Sequence, residues 1–455
     1  MLVMGASFRD PSGFLVVDGE HVLRTVRPEF TADTITFLGS QVARDWVRSG
    51  RLIATEMIEK VPGGPLHLAH PRIFFPSYPW EWTPGQLSAA AELTLNYCES
   101  LIDAGWILKD ASPLNVLFDG PQPVFVDLLS VERREPDSAL WSAYAQFVRT
   151  FLLPLAAFKY LGWPLSASIS RRDGYEPTDL YSPLSVMNRI RAPLRSLVTL
   201  PVLLERWGRT PQSPVVRRSA PVAAAILKHT LHSLRGALRR LTPVLEDSRW
   251  STYPEQCDHY SQKDSIYKAT FVRECVSWSR ARDILAIGAN TGTYSGLAAS
   301  CGTRLVALDK DITATERAWR KARRDEADIL PLVADITRPT PAVGWNNAES
   351  LSLLERCRGR FDLVMMLAVL HHLLISDQIP IEQIAKLAHE LTRRWLLVEW
   401  VPASDPKFRE LSRGRDPLYR HLDAGRFFSA FDPYFQPVRH IELENGRTIH
   451  LMEAR

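Results

Sequence analysis

Five short apolar runs recur between residues 283 and 400. The runs cover residues 284–287, 305–308, 330–334, 363–366 and 395–398. Uninterrupted apolar runs of this length are typical of strands that are buried on both faces. Helix-length segments separate them, so the pattern predicts an α/β domain in which a parallel sheet is doubly wound with helices.

A glycine-bearing turn follows the first run. Gly288 and Gly292 have no Cβ, so the backbone can bend sharply and bring its amides close to a ligand, with Asn290 between them. The second predicted strand ends on Asp309, about one βαβ unit after the first glycine, where a carboxylate can accept hydrogen bonds from a ribose diol. The stretch from Asp283 to Asp309 therefore predicts a site for an adenosine-containing cofactor.

Later strand ends add polar groups at the same predicted edge of the sheet. The third strand leads into Asp335 and Ile336, the fourth into a segment with His371 and His372, and the fifth ends on Glu399. In this order and spacing, the segments resemble a class I S-adenosylmethionine-dependent methyltransferase. We therefore expect a Rossmann-like methyltransferase domain at the carboxyl terminus.

That resemblance implies roles for individual residues. Gly288, Asn290 and Gly292 would border the methionine part of S-adenosylmethionine, Asp309 would hold the ribose, and Asp335 with Ile336 would flank the adenine. The chain departs from the family at Ala286, where many members carry an acidic residue. Asp283 or a residue from elsewhere would then hold the amino group of the cofactor. A dehydrogenase is the competing interpretation, but its glycine turn is usually a tighter G-x-G-x-x-G, and Asn290 takes the middle position here.

The amino-terminal part has a different pattern. Apolar strands flank Asp18 and Gly19, which predicts a β-hairpin over residues 10–26. A helix over residues 31–48, strands over 52–59 and 72–76, and a long helix from Pro84 to about Ala104 follow. The aromatic side chains of the last strand and of the segment before the long helix are predicted to form core; they are Phe74, Phe75, Tyr78, Trp80 and Trp82.

Asp110, Asn115 and Asp127 form a second chemical pattern after the long helix. A carboxylate can orient an accepting hydroxyl, and an amide oxygen with a second carboxylate can hold Mg²⁺ on the phosphates of ATP. Together with the order of elements before them, these residues resemble a protein-kinase-like phosphotransferase. The resemblance implies an α+β kinase-like domain over residues 1–165 that binds ATP and Mg²⁺.

Departures from that family keep three alternatives open. Gly13 and Gly19 are all that remains of a glycine-rich loop, Arg24 is the nearest candidate for the phosphate-holding lysine, and Leu108-Lys109 stands where His-Arg is usual. The domain could be an active phosphotransferase, an inactive nucleotide-binding module, or a structural or substrate-binding unit, and the last is the leading interpretation.

The two-part arrangement resembles a bacterial family of nodulation-protein-like methyltransferases. The sequence motifs that carry this resemblance are the segments 78–82, 108–112 and 123–127, followed by the methyltransferase pattern. The resemblance implies a substrate among small molecules or lipid-linked saccharides. We expect a kinase-like domain at 1–165, a basic helical connector at 166–250 and a methyltransferase domain at 251–455.

Charge and composition change this picture only in the connector. The 455-residue chain has a net charge of +4, but eleven basic residues and a single acidic one, Glu205, lie between Arg189 and Arg240. This run is a solvated face or a contact with an anionic membrane surface, an acidic partner or a phosphorylated substrate; nucleic acid is the less favoured partner. Five scattered cysteines, the start of the chain and the lack of a long apolar run predict a cytoplasmic protein without signal peptide or membrane span.

Catalysis is expected beside the fourth and fifth strands. A neutral imidazole from His372, or alternatively His371, could accept a proton from a hydroxyl acceptor. Glu399 could orient the substrate or a histidine. No spacing in this domain indicates a metal site. The sequence thus predicts methyl transfer to a hydroxyl group, with two alternatives: a bifunctional kinase and methyltransferase, and a scaffold that binds S-adenosylmethionine without turnover.

Overall fold

The computed structural model describes residues 9–60, 63–208, 217–252, 261–419 and 421–455. The chain divides into two compact units. The first comprises Met1–Val244 together with Val343–Ser350, and the second comprises Leu245–Ala342 and Leu351–Arg455. The structure therefore groups residues 166–244, which the sequence assigned to a separate connector, with the amino-terminal part of the chain.

An antiparallel sheet of four strands begins the first unit. Its strands are β1 (Gly13–Asp18), β2 (His21–Val26), β3 (Glu56–Lys60) and β4 (Leu66–Pro71), in the order β1-β2-β4-β3. The β1–β2 hairpin is the one predicted from the sequence, but Asp18 pairs with His21 and the two-residue loop is Gly19–Glu20. Gly19 takes the first loop position with φ of +58°, a conformation that glycine adopts without steric cost.

Three α-helices lie between residues 28 and 103 of this unit. They are α1 (Pro28–Leu38), α2 (Gln41–Arg48) and α3 (Pro84–Asp103). The predicted single helix over 31–48 is divided, because Ser40 adopts an extended conformation and its side chain accepts a hydrogen bond from the Ala43 amide. Helix α3 has the predicted bounds, and Thr83 and Gln86 cap its start reciprocally.

The aromatic segment before α3 is core at four of its five predicted positions. Phe74, Phe75, Trp80 and Trp82 are buried, whereas Tyr78 is half-buried. The Trp82 indole nitrogen donates a hydrogen bond to Ser77 at 3.0 Å, and its ring meets Phe118 edge to face. This pairing satisfies the polar atom of a fully buried indole.

Short strands and helices complete the first unit. The strands are β5 (Trp106–Leu108), β6 (Val116–Asp119), β7 (Gln122–Phe125) and β8 (Val131–Arg133), which pair as β5–β8 and β6–β7. The helices are α4 (Tyr144–Phe147), α5 (Leu153–Leu161), α6 (Pro177–Tyr181), α7 (Val186–Ile190), α8 (Leu200–Arg206) and α9 (Ala220–Leu241). A wider π-helical turn, Val148–Leu152, joins α4 to α5 just before Pro154.

Helix α9 carries much of the basic run and packs against α3. Arg235 pairs with Glu92 at 3.0 Å and Glu99 at 2.8 Å, and Lys228 pairs with Asp103 at 2.5 Å. Carboxylates of the same unit therefore neutralise part of the positive charge that the sequence concentrates in this run.

The second unit is built on a sheet of seven strands. They are β9 (Asp283–Ile287), β10 (Arg304–Asp309), β11 (Ile329–Val333), β12 (Phe361–Met366), β13 (Thr392–Trp400), β14 (Phe435–Glu442) and β15 (Thr448–Ala454). The helices are α10 (Gln262–Ser279), α11 (Thr293–Ala299), α12 (Ile312–Arg324), α13 (Leu353–Cys357), α14 (Leu370–Ile375), α15 (Ile381–Leu391), α16 (Pro406–Ser412) and α17 (Ala424–Phe431).

The strand order is β11-β10-β9-β12-β13-β15-β14. The five strands predicted from the apolar runs are mutually parallel, and β15 and β14 extend the sheet in antiparallel fashion. The chain moves outward from β9 through β10 to β11 and then returns to the other side of β9 as β12. The topological switch point therefore lies between β9 and β12, and the crevice at their carboxyl ends is where such sheets bind ligands.

Burial explains why these strands read as continuous apolar runs. All five residues of β9 are buried, and so are Leu305 to Leu308 in β10. Helices on both faces exclude water from both sets of side chains. Within the residues that the structure describes, no helix is long and apolar enough to cross a membrane.

Candidate functional site

The glycine turn lies at the switch point, directly after β9. Gly288 and Gly292 have φ values of +70° and +78°, and Asn290 between them is also left-handed, with φ of +52°. A Cβ on Gly288 would lie 2.8 Å from a methyl carbon of Val369, in the segment after β12. Glycine is required here both for its conformation and for this close approach, which leaves the turn amides near the crevice.

Asp309 ends β10 beside this turn. Its Oδ2 accepts a hydrogen bond from the Asn290 amide at 2.7 Å, and its Oδ1 accepts one from the Asp311 amide at 2.9 Å. Burial raises the pKa of Asp309 above its ordinary value, although these two amides act in the opposite direction. Each carboxylate oxygen has a second acceptor position, so the side chain can accept two further hydrogen bonds.

Asp335 and Ile336 follow β11 at the same edge of the sheet, and both are half-buried. Asp335 Oδ1 accepts hydrogen bonds from the amide and the hydroxyl of Thr337, at 2.9 and 2.7 Å. These bonds fix the carboxylate and leave Oδ2 for a ligand. The structure thus brings the residues predicted to bind the cofactor to the ends of three adjacent parallel strands.

Asp283 does not belong to this edge. It begins β9, and Arg304 holds its Oδ1 through two hydrogen bonds of 3.0 and 2.7 Å. The suggestion that Asp283 replaces the acidic residue missing at Ala286 is therefore wrong, because the length of the strand separates it from the glycine turn.

The register places Glu399 closer to the turn than the sequence indicated. Met365 of β12 pairs with both Ala286 of β9 and Leu397 of β13, so these residues are level in the sheet. Side chains two residues apart in a strand share a face. Glu399 consequently lies level with Gly288, on the same face as Ala286.

Glu399 is enclosed in a network of four buried charges. Lys268 of α10 contacts it at 2.6 Å, and Arg447 lies 3.6 Å away and forms two hydrogen bonds with Asp405, at 2.8 and 3.1 Å. All four side chains are at most 2% exposed. The ammonium group of Lys268 also lies 4.7 Å from the ring centre of Tyr294, just after the glycine turn. We therefore regard Glu399 as a positioning residue and not as a group that meets the substrate.

His371 and His372 begin α14, beside Val369, and their ring centres lie 4.3 Å apart. His371 is buried, whereas His372 is half-buried. Burial first, and then the charge of Lys310, lower the pKa of His372 to about 4. His372 is thus neutral at physiological pH and is the more accessible of the two predicted bases.

One segment of the site was missed by sequence reasoning. Residues 245–252, which the sequence assigned to the end of the connector, lie across the ends of α12 and α14. Ser248 donates a hydrogen bond to Asp311 at 2.9 Å, and the ring of Trp250 meets His372 edge to face with centres 5.3 Å apart. The sequence signal for the contact with His372 is Trp250 itself, an aromatic residue at the predicted domain boundary.

The three polar residues of the first unit also meet. Asn115 donates hydrogen bonds to the Ser130 hydroxyl at 3.0 Å and to the Asp110 carbonyl at 3.4 Å. Ser130 in turn donates to Asp127 Oδ2, and Asp127 Oδ1 pairs with Arg24 at 2.9 Å. Burial raises the pKa of Asp110, and the charge of Asp127 raises it further. Among the described residues, no cluster of three or more histidine, cysteine, aspartate or glutamate side chains could hold a metal ion.

Comparison with known proteins gives one relative along nearly the whole chain. Nodulation protein NoeA of Rhizobium meliloti (strain 1021) is 28% identical over 470 residues, which cover 99% of this chain and 96% of that protein. No family model matches the chain.

Solved structures overlap it in part. N-methyltransferase NodS from Bradyrhizobium japonicum WM9, in complex with S-adenosyl-L-homocysteine, is 16% identical and covers 45% of this chain and 98% of its own, with a TM-score of 0.32. The bifunctional kinase-methyltransferase WbdD is 15% identical and covers 42% of this chain and 39% of its own, with a TM-score of 0.31.

The strand order and the glycine turn at the switch point give the second unit the doubly wound, Rossmann-like fold of class I S-adenosylmethionine-dependent methyltransferases.

Proposed function

We propose that the chain transfers a methyl group from S-adenosylmethionine to a hydroxyl group of a small molecule or a lipid-linked saccharide. The observation that carries this proposal is the position of His372. A neutral, half-buried imidazole lies in the segment after β12, on the opposite side of the switch point from Asp309. A cofactor-binding edge and a proton acceptor therefore border the same crevice.

The residues at the ends of β9, β10 and β11 fit the cofactor. The free acceptor positions of Asp309 suit the two hydroxyls of a ribose, and Asp335 Oδ2 suits the amino group of an adenine, beside which Ile336 supplies an apolar contact. The left-handed turn from Gly288 to Gly292 lets the backbone come close to the methionine part, because neither glycine carries a Cβ. When bound, S-adenosylmethionine supplies an electrophilic methyl group on a sulfonium.

The chain's own contribution is to orient the acceptor and to remove its proton. With a pKa of about 4, His372 stays unprotonated at neutral pH and keeps a lone pair for an acceptor hydroxyl. Trp250 shields one side of this imidazole from water and offers an aromatic edge beside it. Lys268 and Glu399 fix α10 against β13, which supports the wall of the crevice formed by Tyr294.

A saccharide or lipid-linked saccharide as acceptor is what the resemblance to nodulation-protein-like methyltransferases implies, and the chain is similar to a nodulation protein over 99% of its length. The alternative of a scaffold that binds S-adenosylmethionine without turnover predicts affinity for the cofactor without a methylated product.

The first experiment is calorimetric titration of S-adenosylmethionine into the wild type and Asp309→Ala. We expect at least a tenfold loss of affinity, since the variant lacks the acceptors for the ribose and for the Asn290 amide. Asp325→Ala is the control, because its carboxylate pairs with Arg324 on the surface at the end of α12. Equal affinities in wild type and Asp309→Ala would disprove the ribose assignment.

The second experiment follows transfer of an isotopically labelled methyl group to matched acceptors that carry either hydroxyl or amino groups. We expect labelled hydroxyl acceptors with the wild type and a large loss with His372→Ala, while affinity for S-adenosylmethionine is retained. Labelling of amines alone would overturn O-methylation, and no labelling of any acceptor despite cofactor binding would favour the scaffold.

A further inference from the structure

The first unit contains the residues expected of a magnesium and ATP site, but these residues form hydrogen bonds and an ion pair with protein groups. The two oxygens of Asp127 have separate protein partners, the guanidinium of Arg24 at 2.9 Å and the hydroxyl of Ser130. A metal ion would need these oxygens as ligands. Each oxygen of Asp127 therefore already has a protein partner, and one of these partners is a cation.

The amide of Asn115 is committed in the same way. Its nitrogen faces the Asp110 carbonyl and the Ser130 hydroxyl, so the end of the amide turned toward the cluster is a donor. A magnesium ion needs an amide oxygen. The orientation of Asn115 is fixed by the Asp110 carbonyl, which can only accept hydrogen bonds.

Arg24 is held too firmly to be a mobile surface charge. Its side chain is 4% exposed, and a second guanidinium nitrogen lies 3.5 Å from the Val126 carbonyl. The neighbouring His70 is buried, and burial together with the charge of Arg24 lowers its pKa to about 4, so this imidazole adds no positive charge at neutral pH. Asp127 thus neutralises a buried arginine, and two cations cannot share its carboxylate without strong repulsion.

We propose that Arg24 replaces the divalent cation at Asp127, so that the first unit does not bind a magnesium–nucleotide complex and the chain is not a kinase. The residues do not fit the metal that the phosphotransferase resemblance implies, and the reason is a single internal ion pair between β2 and the segment after β7. This inference is independent of methyl transfer, because it concerns only residues of the first unit.

The test titrates Mn²⁺, in the presence of ATP, into the full chain and follows the free ion by electron paramagnetic resonance. The wild type is expected to bind Mn²⁺ with ATP no more tightly than Asp127→Asn. Arg24→Met, which uncovers the carboxylate, is expected to bind at least tenfold more tightly than the wild type. The double variant Arg24→Met/Asp127→Asn is expected to lose that gain.

Arg44→Met is the matched control. Arg44 is an exposed arginine of the same unit whose guanidinium bonds to the Gly39 carbonyl and Gln41, and its removal is expected to leave Mn²⁺ binding unchanged. Arg24→Gln, which keeps an amide donor for Asp127, replaces the methionine variant if that variant does not fold. Binding of Mn²⁺ with ATP by the wild type that is lost in Asp127→Asn would overturn the proposal, and so would the absence of any gain in folded Arg24 variants.

Discussion

The buried network around Glu399 gives the sharpest prediction, and the perturbation is Glu399→Gln. This change keeps the shape of the side chain but removes the carboxylate that Lys268 contacts at 2.6 Å. Arg447 keeps its two hydrogen bonds with Asp405. The site then holds two buried cations and one carboxylate, and Lys268 is the cation that has lost its anionic partner.

The magnitude follows from the burial of the pair, since Lys268 is 2% exposed and Glu399 is 0% exposed. Removing one partner of a buried pair costs about 3–5 kcal/mol, because the other charge stays out of water. For a unit of this size, each kcal/mol lowers Tm by about 2–4 °C, so we expect a fall of roughly 6–20 °C.

The assay is differential scanning calorimetry of the full chain, in which the transition raised by S-adenosylmethionine is assigned to the second unit. Glu444→Gln is the matched control, because it removes the partner of Lys263 on the same helix, α10, where both side chains are more than half exposed. A surface pair contributes about 0–1 kcal/mol, so the control is expected to change Tm by no more than about 4 °C.

A double variant separates charge imbalance from lost packing. Lys268→Met/Glu399→Gln removes both charges, and we expect it to recover at least half of the Tm lost in Glu399→Gln. The reasoning is refuted if Glu399→Gln lowers Tm no more than Glu444→Gln does, or if the double variant is less stable than the single one.

Three further predictions concern the crevice. Gly288→Ala and Gly302→Ala both place a side chain at positive φ, which costs about 1–2 kcal/mol, so both are expected to lower Tm. Only the new Cβ at position 288 meets Val369, at 2.8 Å. Calorimetric titration should therefore show weaker S-adenosylmethionine binding for Gly288→Ala alone. The acid limb of kcat/KM is expected near pH 4 and not near 6.5, because a proton blocks the lone pair of His372 only below its lowered pKa; a limb near 6.5 that persists in His372→Gln would contradict this role. Trp250→Ala exposes that imidazole to water, so the same pH profile should show the limb moved upward toward 6.5, and an unchanged limb would show that Trp250 does not shield it.

Local signals were sufficient for much of the fold. Each parallel strand was visible as an apolar run, since burial on both faces removes the alternation of polar residues. The glycine turn, Asp309 and Asp335 could also be predicted, because their position depends on nearby strand ends. Errors occurred where backbone detail decides, as in the hairpin loop shifted to Gly19–Glu20 and the helix divided at Ser40.

What the sequence could not supply is the pairing of charges that are distant in the chain. Arg24 and Asp127 are 103 positions apart, and Lys268 and Glu399 are 131 apart. Neither pair has a local signature, and each changes the role of a residue that looked catalytic or metal-binding.

The sequence by itself determined that a doubly wound sheet would place a glycine turn and two aspartates at one edge, because strand direction and chain order fix that edge. Only the tertiary structure decided which polar residues there stay open to a ligand. Buried charge must be neutralised by whatever group the fold brings within contact, and that group can come from any part of the chain.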